Sequence, residues 1–75
     1  MKSKYKASYK IVGFNIAYYR KIAGLTQEGL AEKSGLDIST ISKLEIAQIG
    51  ATLDTLYDIA DALGVDAYKL LMNPR

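Results

Sequence analysis

The chain has 75 residues, with ten Lys or Arg against eight Asp or Glu, and contains neither cysteine nor histidine. That length allows one domain near the lower limit for folding without staples, and the missing residue types exclude disulfides, Cys/His zinc sites, thiol nucleophiles and imidazole bases. No apolar run approaches a bilayer span and no signal-peptide segment is present, so a soluble cytoplasmic protein without metal or other cofactor is expected.

The formal charge of +2 is unevenly spread. Between Met1 and Lys21 lie six cations and no acid; the remainder holds four cations and eight acids, a net +6 against −4. A basic segment ahead of an acidic body reads either as an arm that touches a polyanion or as a solubilising tail. Residues 1–7 alternate lysine with small and aromatic residues and show no helical period. They are expected to form a flexible basic arm, with residues 8–75 as a single domain.

Ser8 is the predicted N-cap of a first helix, in which Val12, Ile16, Tyr19 and Ala23 recur at three- and four-residue intervals as one buried face. Gly24 is expected to close it. Tyr5, Tyr9, Tyr18 and Tyr19 crowd this end. Tyrosines beside lysines can stack on bases or bond phosphates, whereas aromatics on a short helix more often fill the edge of a core. Tyr19 takes the core reading; Tyr5 and Tyr9 are open between the two.

Thr26 is the predicted cap of a second helix running to about Ser34, with Glu28 at its positive end. Gly29 inside it costs roughly 0.5–1 kcal/mol relative to alanine and is read as an exposed site. Asp37 is expected to cap a third helix, its carboxylate accepting the amide of Ser39 or Thr40, through to Glu45 or Ile46. Gly50 is the flexible point of the connection that follows. Thr52 then caps a fourth helix, with Leu53, Leu56, Ile59, Ala60 and Leu63 on the buried face and Asp54, Asp58 and Asp61 on the wet one. Gly64 ends it, and Asp66 caps a last short helix carrying Leu70 and Leu71 before Asn73-Pro74 stops the chain.

The stretch Thr26 to Ile46 organises the rest. Leu30, Ala31, Gly35, Leu36, Ile41 and Leu44 fall where two short helices crossing steeply need them: Ala31 allows close approach, Gly35 can take φ > 0, and Ile41 and Leu44 form one buried stripe. That is a helix-turn-helix. The chain resembles the Cro/repressor-type (XRE-like) helix-turn-helix regulators over roughly Val12 to Leu71. The resemblance rests on GLTQ (Gly24 to Gln27), LAEKSGL (Leu30 to Leu36), STISKLE (Ser39 to Glu45) and LYDIADALGV (Leu56 to Val65).

The resemblance implies an all-α, five-helix, lambda-repressor-like DNA-binding domain that binds double-stranded DNA as a homodimer. It places Asp37, Ile38, Ser39, Ser42 and Lys43 in the major groove, and Thr26 and Gln27 on the phosphate backbone. It also pairs Arg20 with Glu45, tying the first helix to the end of the groove-facing one. The chain departs from the family pattern in two ways. Between Leu25 and Ile46 two lysines face four acids, a net −2 that opposes phosphate binding, and Ile38 can touch only a thymine methyl. After the motif, Ile46, Ala47 and Ala51 stand where the family often has a polar or basic residue, a glycine and a proline. Either Ile38, Ile46 and Ile49 then form an apolar surface for a protein partner, or Ile46 and Ile49 fold back under the fourth helix. The first alternative carries a second reading of function, a protein-interaction module with weak or lost DNA binding.

Overall fold

The structure is a computed structural model and describes residues 3–74. Four α-helices, α1 (Lys6–Ile22), α2 (Gln27–Ser34), α3 (Ile38–Glu45) and α4 (Leu53–Leu63), are followed by a 3-10 helix, Ala67–Leu70. The fold is all-α as expected, but its last element is a 3-10 turn in place of a fifth α-helix. Leu70 and Leu71 cannot both face inward from such a turn, because side chains there are spaced about 120° apart. Leu70 is fully buried and Leu71 is exposed.

The first helix begins earlier than Ser8. Tyr5 is its N-cap, the Tyr5 amide donates to Ser3 Oγ at 3.0 Å, and the Lys6 amide donates to the Ser3 carbonyl at 3.3 Å. Ser3 therefore organises the start. Lys6 and Ala7, expected in a flexible arm, are helical, while Met1 and Lys2 lie outside the described residues. At the other end, Ala23 is an exposed C-cap and Gly24 turns the chain at φ 73°, so Ala23 is not part of the buried face.

One core joins all the elements. Ile16, Leu30, Ile41, Ile59 and Leu70 are its largest fully buried side chains, one from each helix and the 3-10 turn. Leu53 is the exception on α4, 63% exposed at the first helical position, one turn beyond the last core residue of that face, Leu56. Thr26 and Thr52 cap as predicted, their hydroxyls accepting the Gly29 amide at 2.9 Å and the Thr55 amide at 3.1 Å. Asp37 and Asp66 occupy N-cap positions, but neither carboxylate accepts a cap hydrogen bond. Gly29 is half-buried, and a methyl there would meet Thr26 Oγ1 at 3.3 Å and Leu25 Cδ2 at 3.5 Å. The site is therefore not open, and the helix-propensity gain of alanine is opposed by a tight contact with the cap oxygen.

Two buried residues on α1 fix the neighbours of that helix. Asn15 is 4% exposed, and its Nδ2 donates to the carbonyls of Leu70 at 3.0 Å and Met72 at 2.7 Å, which fastens the C-terminal turn to α1. On the adjacent side Gly13 lies against the carbonyls of Leu44 and Glu45. A Cβ there would sit 2.7 Å from the Glu45 oxygen, so only glycine lets α1 cross the end of α3 at this distance.

Candidate nucleic-acid interface

The turn between α2 and α3 is made by Gly35 at φ 75°, whose amide bonds to the Ala31 carbonyl. Ala31 beside it is buried, and Ile41 and Leu44 anchor α3 in the core. With that stripe inward, Asp37, Ile38, Ser39 and Lys43 are exposed, Ile38 at 48%, and Ser42 is half-buried with its hydroxyl donating to the Ser39 carbonyl at 3.1 Å. The five positions expected to face the groove thus share the outer side of α3 and its N-terminus. Such a helix can offer a thymine-methyl contact from Ile38 and a guanine-edge or phosphate contact from Lys43.

A hydrogen-bond network fixes the angle of α3 against its neighbours. Arg20 Nε reaches Glu45 Oε2 at 2.6 Å and its Nη2 reaches Oε1 at 3.1 Å, a bidentate pair with side chains only 12% and 6% exposed. Arg20 Nη1 also donates to the Leu25 carbonyl at 2.9 Å, and Gln27 Nε2 donates to Glu45 Oε1 at 2.9 Å. The hydrogen bond to Glu45 raises the Arg20 pKa above its ordinary value, burial opposes that, and the carboxylate charge adds to the rise. Gln27 is therefore committed to the network as well as placed at the start of α2. One of its amide hydrogens remains for a phosphate, as does the hydroxyl hydrogen of the exposed Thr26.

This pairing also changes the electrostatics read from sequence. With Glu45 neutralised by Arg20, the charges of the motif left facing water are Lys33 and Lys43 against Glu28, Glu32 and Asp37, a net −1. The first turns of α1 carry cations of their own. The Tyr9 ring packs on Gly50, to within 3.0–3.2 Å of where a Cβ would stand, so Tyr9 takes the packing role and binds the first turns of α1 to the α3–α4 connection. Gly50 serves there as a flat seat for the ring. Exposed Lys6 and Lys10 share the stripe of α1 that leads to Gly13 and hence to α3.

The chain after α3 turns through Ala47 at φ 57°, with the Gln48 amide bonding to the Lys43 carbonyl at 2.8 Å. Alanine thus adopts the left-handed conformation that the family's usual glycine would take without strain, at a cost of about 1–2 kcal/mol. The turn brings Ile49 against the core and leaves Ile46 68% exposed. The three-isoleucine surface is therefore not formed: Ile38 and Ile46 remain outside, and Ile49 does not join them.

Gly13, Asn15 and Ser3 are the structural residues that periodicity missed. Asn15 had a signal, a polar residue inside the Val12–Ile16–Tyr19 stripe; Gly13 had one too, a glycine in mid-helix.

The chain belongs to the XRE-type helix-turn-helix family of transcriptional regulators, whose family model, described as helix-turn-helix, matches residues 16–70. It is 42% identical over 62 residues to the uncharacterized HTH-type transcriptional regulator y4dJ of Sinorhizobium fredii, covering 83% of this chain and 80% of that one. It is equally identical, over 62 residues, to the control protein C.SmaI of Serratia marcescens, covering 83% and 74%. Among solved structures, the restriction-modification controller protein C.AhdI of Aeromonas hydrophila superposes with a TM-score of 0.86 at 31% identity, over 91% of this chain and 99% of that chain. Among the described residues no helix is long and apolar enough to cross a membrane.

Proposed function

We propose that this protein is a cytoplasmic, sequence-specific DNA-binding regulator that acts as a homodimer, with α3 in the major groove. The observation that carries the reading is the exposed outer side of α3, held at a fixed angle by the Arg20–Glu45–Gln27 network and the Gly13 contact. One such helix offers few base contacts, and a two-fold pair doubles them on half-sites about one helical turn apart. In this reading Ile38, Ser39, Ser42 and Lys43 meet base edges, Asp37 stands at the groove end of α3, and Thr26 and Gln27 hold the backbone. The control-protein relatives support a regulator of this class. The interaction-module alternative loses its main support once Ile49 packs on the core.

Because the motif itself is weakly acidic, much of the attraction to phosphate is assigned to Lys4, Lys6 and Lys10. Replacing all three with alanine is expected to make the slope of log affinity against log salt shallower by roughly two to three units, since each phosphate contact contributes about 0.9. Ile38→Asp is expected to abolish binding by placing a carboxylate in the groove. Duplex titrations at several salt concentrations check both. An unchanged slope in the triple variant, with binding retained in Ile38→Asp, would place the DNA contact elsewhere.

A further inference from the structure

A cleft of ~240 Å³ lies between α1 and the C-terminal turn, and no residue of α2 or α3 lines it. Phe14, Tyr18 and Tyr19 of α1 form one side, and Lys69 and Met72 form the other. The Phe14 and Tyr18 rings lie 12° from parallel with centroids 6.3 Å apart, and Tyr19 meets Tyr18 edge-on at 5.1 Å. Stacked carbons sit about 3.5–4.0 Å apart, so no third ring fits between Phe14 and Tyr18, and the two act as one aromatic wall. Both are half exposed, which leaves that wall open to a ligand. Asn15, itself a lining residue, holds the two sides together through its hydrogen bonds to the Leu70 and Met72 carbonyls.

Charge and size together select what this cleft can take. Lys69 is the only charged side chain that lines it, and it is half-buried. Among the described residues Arg20–Glu45 is the only ion pair, so the Lys69 ammonium has no carboxylate partner there. A cation beside the aromatic wall repels the quaternary ammonium ions that aromatic cages otherwise hold, and it attracts an anion. A dry cavity of about 150 Å³ holds benzene, and pockets for drug-sized ligands begin near 300 Å³. A volume of ~240 Å³ therefore suits one six-membered ring with a small charged substituent, and a nucleotide is too large.

We infer that this cleft binds a single-ring aromatic carboxylate, with the ring on Phe14 and Tyr18 and the carboxylate on Lys69. The Met72 thioether adds a polarisable contact at the ring edge. A ligand held this way ties α1 to the C-terminal turn a second time, beside the Asn15 hydrogen bonds, and so stabilises the folded chain in proportion to its occupancy. The inference is independent of the DNA reading, because none of the positions assigned to DNA lines the cleft.

Titration of the 75-residue chain with benzoate, followed by amide NMR shifts, tests this. The amides of Phe14, Tyr18, Lys69 and Met72 shift and saturate with a Kd of about 1 mM or tighter. Benzylamine, the same ring with the opposite charge, and acetate, the carboxylate without the ring, each bind about tenfold more weakly or worse. Lys69→Gln and Phe14→Ala each weaken benzoate about fivefold or more, with circular dichroism to confirm that both variants are folded. Lys21→Gln, on an exposed residue of α1 that does not line the cleft, leaves the affinity unchanged. Shifts that never saturate, benzylamine or acetate binding as well as benzoate, or an affinity that Lys69→Gln does not lower more than Lys21→Gln each overturn the site.

Discussion

Arg20→Ala is expected to destabilise the fold by about 3–5 kcal/mol, because it leaves a shielded carboxylate without its partner. A chain of this length has about 4–11 kcal/mol of stability in total, so the loss removes a large share of it. Three groups lose contacts at once: both oxygens of Glu45 lose the guanidinium, and the Leu25 carbonyl loses Nη1. Gln27 Nε2 remains on Glu45, but a single neutral donor cannot replace a bidentate cation. Arg20→Lys should fall between, since an ammonium keeps the charge without the planar fork. Urea unfolding measures the loss, and a shift under about 1 kcal/mol would show that the pair behaves as an exposed one.

Gly13→Ala is expected to be comparably damaging even though alanine is the better helix former by roughly 0.5–1 kcal/mol. Its methyl group would overlap the carbonyls of Leu44 and Glu45, which are backbone atoms and cannot rotate aside. Relief requires α1 and α3 to separate, which opens the core between Ile16 and Ile41 and moves Glu45 off Arg20. Overpacking of this kind costs typically about 1–3 kcal/mol, and the displaced ion pair adds to it. Thermal unfolding should show a net loss of at least about 2 kcal/mol. A gain in stability would mean that the helices have room at this crossing.

Much of the architecture was legible because it depends on local rules. Thr26 and Thr52 as caps, Gly35 and Gly64 as helix ends, and the Ile41–Leu44 stripe all follow from spacing and residue type. The motif resemblance supplied the Arg20–Glu45 alignment, which no periodicity within either helix contains. What was not legible depends on tertiary neighbours. Leu53 has the right spacing for the core face of α4, yet the core stops at Leu56. Gly13 looks like a helix defect until α3 is placed across it. Asn15 looks like an interruption of an apolar stripe until the C-terminal carbonyls arrive to meet it.

The net acidic charge of the motif was a similar case. Glu45 counted as a repelling charge in the sequence, but its pairing with Arg20 removes it from the field that a phosphate feels. The Tyr9–Gly50 contact then brings the basic start of α1 beside the α3–α4 connection, a proximity between residues 41 positions apart. Long-range packing of this sort leaves no local trace.

Selection of binding sites from random duplex DNA by the 75-residue chain tests the regulator reading most directly. The predicted result is enrichment of a two-fold symmetric sequence whose half-sites lie about one helical turn, ~10 base pairs, apart centre to centre. Recovery of no common sequence at low salt, with the chain folded, would contradict sequence-specific binding through α3.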